Sequence, residues 1–213
     1  MNDRATVPRG RHAPPLEVRL SVQRRRLFEA AAAEFARSGY AEASAESISR
    51  EAGMSKATFY EHFANKEECI LGLFDVAATE VLGAMASGTA GGGDDPMARL
   101  RGGVRAFLQI LAEHPNESQT LLVEIIGAGP RAAQRRDEVF ARFAEAIDEE
   151  NAIAARAGAV RRLESLDDAY AIVGAVAELA SRQVRLGEPG DVRELEPVIE
   201  RLIVGLVTAP VQA

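Results

Sequence analysis

Residues 45–67 run Ala45-Glu46-Ser47-Ile48-Ser49-Arg50-Glu51-Ala52-Gly53-Met54-Ser55-Lys56-Ala57-Thr58-Phe59-Tyr60-Glu61-His62-Phe63-Ala64-Asn65-Lys66-Glu67. Ile48 and Ala52 share one face of a short helix, and Phe59 and Phe63 share one face of the next. Gly53 between them supplies a backbone conformation that side chains resist, and the Ser55 hydroxyl can cap the second helix. The four apolar residues form the small core of a helix-turn-helix, a shape whose second helix can enter the major groove of DNA. Lys56, Thr58, Tyr60, Glu61 and His62 are left facing outward, donors and acceptors of the kind that reach phosphates or base edges.

Upstream, Arg26-Leu27-Phe28-Glu29-Ala30-Ala31-Ala32-Ala33-Glu34-Phe35-Ala36-Arg37-Ser38-Gly39-Tyr40 is a helix with a small apolar stripe, closing on Gly-Tyr. With Phe59-Tyr60-Glu61-His62-Phe63 and Asn65-Lys66-Glu67, it resembles the TetR family of bacterial transcription regulators over roughly residues 21–75. The resemblance implies an all-α fold of about nine helices. An N-terminal three-helix DNA-binding domain would be followed by a C-terminal helical domain for ligand binding and dimerisation. The expected layout is a disordered basic arm over residues 1–19, the helix-turn-helix domain over 20–66 and the effector-binding and dimerisation domain over 67–213. The chain departs from the family pattern at Ser44-Ala45-Glu46, where threonines are common, at Glu61, and at Ala57, which replaces a glycine or proline. Glu46 would be repelled by a nearby phosphate, so it either faces away or reads a cytosine amino group.

The 213 residues, 47% hydrophobic, suffice for a buried core. No run of about eighteen uncharged apolar residues suggests a membrane span. Met1–Leu20 lacks an apolar signal segment, so a cytoplasmic location is expected. The single cysteine, Cys69, rules out an internal disulfide and a multi-cysteine metal site, and its helical surroundings read as structural. A net charge of −7 looks wrong for a DNA binder, but seven arginines against Asp3 and Glu17 give residues 1–26 a net +5. A local basic patch beside the helix-turn-helix governs phosphate attraction, not the global balance. Residues 1–15 read equally as such an arm or as a solvated tail.

Beyond the helix-turn-helix, a fourth helix from Lys66 through Leu82 suits a connector between domains. Gly88–Gly93 reads as a flexible break. Helices are then expected from Pro96, over Ser118–Ile126, from Pro130 to about Ala155, from Asp167 to Gly187, and over Glu194–Val207. Ala171, Gly174, Ala175, Ala177 and Ala180 give one of the last two helices a small-residue surface, and the final helix is apolar on more than one face. Two such helices from each of two chains would make a four-helix interface, as in TetR-like homodimers.

The candidate DNA contacts are Arg24, Ser44, Ser55, Lys56, Thr58, Tyr60, His62 and Lys66. Thr58 can meet a thymine methyl or a phosphate, Lys56 a guanine edge, Tyr60 and His62 phosphates. Ser44 can cap a helix or touch a phosphate. Lys66 opens the fourth helix, whose N-terminus attracts phosphate, and is expected as a phosphate anchor. Arg24–Arg26 start the first helix, close to DNA by the resemblance. Tyr40 is core or a backbone contact, core being the stronger reading.

Effector candidates are Phe107, Phe143 and Tyr170 on apolar faces, with Glu124 and Glu178 as carboxylates interrupting apolar helices. Buried carboxylates are costly unless paired, so each is either ligand-facing or bland, Glu178 pairing with Arg182 and Glu124 facing solvent. The reading is a regulator, most often a repressor in this family, released from a palindromic operator by an apolar or amphipathic small molecule. An activator or effector-independent regulator is the alternative. Three histidines without metal-ligand spacing, and no phosphate loop or nucleophile elbow, speak against an enzyme, a metal or a cofactor. A helical adaptor without DNA is the remaining class.

Overall fold

The computed structural model describes residues 15–207. Nine α-helices and two 3-10 turns make up all the regular structure among these residues. The first four helices are α1 (Leu16–Glu42), α2 (Ala45–Glu51), α3 (Lys56–His62) and α4 (Lys66–Ala90). Leu27, Ala31 and Phe35 of α1, Ile48 of α2, Phe59 of α3, and Ile70 and Phe74 of α4 are completely or almost completely buried. They close one core under the helix-turn-helix. Its aromatic layer packs Phe63 against Phe28 at 5.2 Å and against Phe59 at 5.4 Å between ring centroids.

Residues 16–19, expected within a disordered arm, are helical, because Pro15 starts the helix rather than preventing it. Its carbonyl accepts the first helical bond, from Arg19 N at 3.1 Å, and a proline at a helix start gives up only a donor that would be orphaned there. The rest of the expected arm, residues 1–14, lies outside the described residues. Gly39 does break α1: its φ of 77° is left-handed, and the chain turns there before continuing into Tyr40–Glu42.

The second half comprises α5 (Pro96–Glu113), α6 (Pro115–Leu122), α7 (Pro130–Arg156), α8 (Leu166–Leu186) and α9 (Glu196–Val207). Proline opens α5, α6 and α7, where its missing N–H costs nothing. The single helix expected over Ser118–Ile126 is instead the end of α6 plus a 3-10 turn, Glu124–Gly127. A second such turn, Val192–Leu195, precedes α9, so the last helix starts two residues later than expected.

Helix α4 is the hub, packed against α1, α5, α6 and α7. By length and composition it could cross a membrane, with a window of mean hydropathy 1.7, but Asp75 and Glu80 interrupt that window, so no run of eighteen uncharged apolar residues is present. That apolarity serves these four helical neighbours.

The glycine run read as a flexible break over Gly88–Gly93 is helical as far as Ala90, and the chain turns only from Gly91 to Asp94. Helix α4 continues to Ala90, and Gly88 lies against Gly102 of α5 so closely that a Cβ on Gly102 would overlap the Gly88 carbonyl. A Cβ on Gly103 would sit 2.7 Å from Thr89 Oγ1. Here glycine forgoes some helix propensity and lets two helix backbones touch.

Candidate nucleic-acid interface

Each helix of the motif is closed by its own side chains. Ser44 and Ser47 form a reciprocal cap at the start of α2, with Ser47 N donating to Ser44 Oγ at 3.1 Å and Ser44 N to Ser47 Oγ at 3.0 Å. Gly53 adopts φ +65° in the turn, and Met54 N donates to Ser49 O at 2.8 Å. Ser55 Oγ then accepts Thr58 N at 3.1 Å and caps α3. Arg26, expected near DNA, reaches across instead and donates to Ala52 O at 2.9 Å, closing the end of α2.

The exposed face of α3 carries Lys56, Ala57, Tyr60 and Glu61, with Tyr60 half exposed at 51% although its ring edge meets Phe59. Thr58 is half-buried, its Oγ1 3.0 Å from Ser55 Oγ. Arg24 is exposed and lies over the rings of Phe63 and Phe28, at 4.9 and 5.2 Å to their centroids, which fixes its guanidinium near the end of α3. His62 Nε2 is 3.3 Å from Gln23 Oε1. Burial and, less strongly, the Arg24 charge lower its pKa, so at neutral pH it offers a neutral ring rather than a cation. Of the eight expected DNA contacts, Lys56, Thr58, Tyr60 and His62 lie on α3, Arg24 lies over the Phe63 ring at its end, and Ser44 and Ser55 serve as caps of α2 and α3.

Lys66 is the eighth, and its geometry is not that of a phosphate anchor. Its ammonium donates to Tyr40 O at 2.6 Å, Ala41 O at 3.1 Å and Ala43 O at 2.8 Å, and lies 4.3 Å from the centre of the Tyr40 ring. All three of its protons are used on the carbonyls that the end of α1 would otherwise leave open. Half-burial lowers its pKa, with Glu42 opposing the shift.

Cys69, in α4 behind this surface, is completely buried, and burial pushes its thiol up to about 12 despite the nearby Arg24 charge. A thiol that stays protonated is a poor nucleophile. The folded protein is therefore expected to resist iodoacetamide at pH 8 and to be alkylated promptly in denaturant, as read by intact mass. Rapid native alkylation would mean that α4 separates from the helix-turn-helix in solution.

The five expected effector residues are distributed over α5, the turn after α6, α7 and α8. Phe107 is buried in α5, whereas Phe143 and Tyr170 are half-buried on α7 and α8, where Tyr170 stacks at 6.0 Å from Phe140. Glu178 is exposed and pairs with Arg185 at 3.0 Å, not with Arg182. Glu124 is half-buried and accepts hydrogen bonds from Tyr40 N at 2.7 Å and Gln119 Nε2 at 2.8 Å.

None of the five lines either of two recesses in the second half. One is a surface groove of about 420 Å³ bordered by Arg105, Gln109, Arg193 and Glu196. The other is a shallow recess open to solvent, about 10 Å³, between α4, α5 and α6, lined by residues including Val81, Leu111, Ser118 and Leu121 together with the exposed Glu80 and His114. No cluster of His, Cys, Asp and Glu among the described residues has the form of a metal site.

The structure is a capped helix-turn-helix joined by a long helix to a second set of helices. Residues 27–73 match the family model of bacterial regulatory proteins of the tetR family. The whole fold is shared with solved TetR-type structures. The fatty acid degradation regulator FadR of Bacillus halodurans aligns at 20% identity, over 86% of this chain and 95% of its own, with a TM-score of 0.79. FadR of Bacillus subtilis, solved with stearoyl-CoA, aligns at 18% identity over 84% and 97%, with a TM-score of 0.75. The regulator PfmR of Thermus thermophilus aligns at 22% identity over 84% and 97%, with a TM-score of 0.67. No curated protein sequence matches significantly.

Proposed function

We propose that this protein is a dimeric repressor that leaves its operator when a small amphipathic molecule binds its C-terminal domain. The observation that carries the reading is the exposed α3 face, where Lys56 and Tyr60 stand free above a fully packed aromatic core. A face so placed can enter a major groove with its side chains aimed at base edges and phosphates. Arg24, Ser44, Ser55, Thr58 and His62 flank it as the supporting contacts.

A second copy is the partner that two-fold operator reading requires. Supporting it, α8 and α9 leave Leu166, Leu186, Val198 and Leu206 exposed at 46, 59, 39 and 43%. Gly174 and Gly205 on the same two helices meet nothing within 4 Å of an added Cβ, leaving room for close helix packing.

Long-chain acyl-CoA is the first effector class to test, since the B. subtilis FadR structure contains stearoyl-CoA and the ligand is amphipathic. The recess between α4, α5 and α6 holds only about 10 Å³, far too little for an acyl chain, so an effector entering there would favour a more open arrangement of these helices. An effector that prefers the open form shifts the population away from the form that fits DNA.

The test is fluorescence polarisation with duplexes enriched by the protein from a random library, titrated with salt and then with stearoyl-CoA. Lys56→Ala combined with Tyr60→Ala is expected to weaken binding by on the order of a hundredfold while leaving the fold and oligomeric state intact. Release by stearoyl-CoA supports the effector class. Tighter binding with stearoyl-CoA would indicate an effector-activated regulator, and wild-type binding no better than to random DNA would sink the regulator reading.

A further inference from the structure

We propose that Glu124 is a positioning residue for operator binding: its carboxylate holds the segment that leads into the helix-turn-helix and ties it to α6. The left-handed Gly39 breaks α1 and deprives Tyr40 N–H of a helical partner. Glu124 Oε2 takes that N–H at 2.7 Å, across 84 residues of chain, while its Oε1 is held by Gln119 of α6 at 2.8 Å. The opposite side of the same segment is held by Lys66, through the carbonyls of Tyr40, Ala41 and Ala43. The next residue, Ser44, caps α2. Residues 39–44 are thus gripped from α4 on one side and from the second domain on the other, immediately before the DNA-reading unit.

The grip also has a route inward. Ser118 and Leu121 of α6 line the small recess between α4, α5 and α6, and Gln119 lies between them in sequence. A molecule wedged into this recess would displace α6, and Gln119 and Glu124 with it. Ion pairs also link the start of α4 to the second half, joining Arg131 to Glu67 and Glu68, with the arginine side chain 56% exposed. Exposed pairs hold geometry weakly. A half-buried carboxylate on an orphaned backbone N–H holds it more firmly.

This inference rests on the proposed DNA-binding function, so its test has one arm that needs no DNA. Hydrogen exchange is measured on the full-length wild type, Glu124→Ala and Glu124→Gln over peptides covering residues 39–44. Affinity for the wild-type-enriched duplex is measured across a salt series. Glu124→Ala is expected to speed exchange in this segment at least tenfold, with α8 and α9 unaffected. It should change duplex affinity at least tenfold without changing the slope against salt, because no phosphate contact is lost. Glu124→Gln keeps an acceptor for Tyr40 N–H and should restore both.

Faster exchange with unchanged affinity would overturn the inference, reducing Glu124 to a local cap. Unchanged exchange, or Glu124→Gln behaving as Glu124→Ala, would overturn it as well. If the wild type enriches no duplex, the DNA-binding reading falls, and the exchange arm still decides whether Glu124 holds the segment.

Discussion

Lys66→Ala is expected to lower the melting temperature by roughly 5–10 °C, through the loss of about 2–3 kcal/mol. The ammonium satisfies three carbonyls, those of Tyr40, Ala41 and Ala43, where α1 gives way to the segment before α2. Hydrogen bonds to a charged donor are the stronger kind, and carbonyls that lose it must find water in a half-buried corner. The aromatic ring of Tyr40 beneath the ammonium adds a further attraction. A phosphate anchor would behave oppositely: its removal would leave the melting temperature alone and reduce the slope of log affinity against log salt by about 0.9. Calorimetry and a salt titration on one variant therefore separate the two roles. A melting temperature unchanged within error, with a shallower salt slope, would restore Lys66 to the DNA surface.

Substituting Gly102 should cost about 2 kcal/mol or more, although alanine in a helix ordinarily gains about 1 kcal/mol over glycine. In Gly102→Ala the new Cβ would overlap the backbone carbonyl of Gly88, and a backbone cannot rotate aside as a side chain can. Helices α4 and α5 must separate, and the neighbouring contacts of Gly103 with Thr89 and of Gly88 with Ala106 loosen with them. Gly83, on the same α4, is the control, since an added Cβ there meets nothing within 4 Å. Gly83→Ala is expected to stabilise by up to about 1 kcal/mol from helix propensity alone. Opposite signs in urea unfolding would establish the seam; two stabilising substitutions would mean that α4 and α5 are not in backbone contact in solution.

The sequence is legible wherever the information is local. Gly53, Ser55, Ile48 and Phe59 each act within a few residues of themselves, as turn, cap and core, and they sit in the structure as their spacing implies. The prolines before α5, α6 and α7 mark helix starts for the same reason. The misreadings share one cause. Pro15 and the glycines near residue 90 have a usual preference for irregular chain, whereas here one opens α1 and the other faces a second glycine fourteen residues on in α5. Local spacing pairs Glu178 with Arg182, one turn away, but a side chain two turns on, Arg185, takes it.

What the sequence by itself determined is the helical class, the helix-turn-helix and the exposure of Lys56, Tyr60 and Glu61 on its second helix, because helical periodicity and end-capping act over three or four positions. What only the tertiary structure decided is the work of Lys66, Arg26 and Glu124. Each meets a backbone group that is 23 to 84 residues away and is open only because a helix has been broken or ended there. An unsatisfied carbonyl or N–H leaves no mark in the sequence of the residue that will satisfy it.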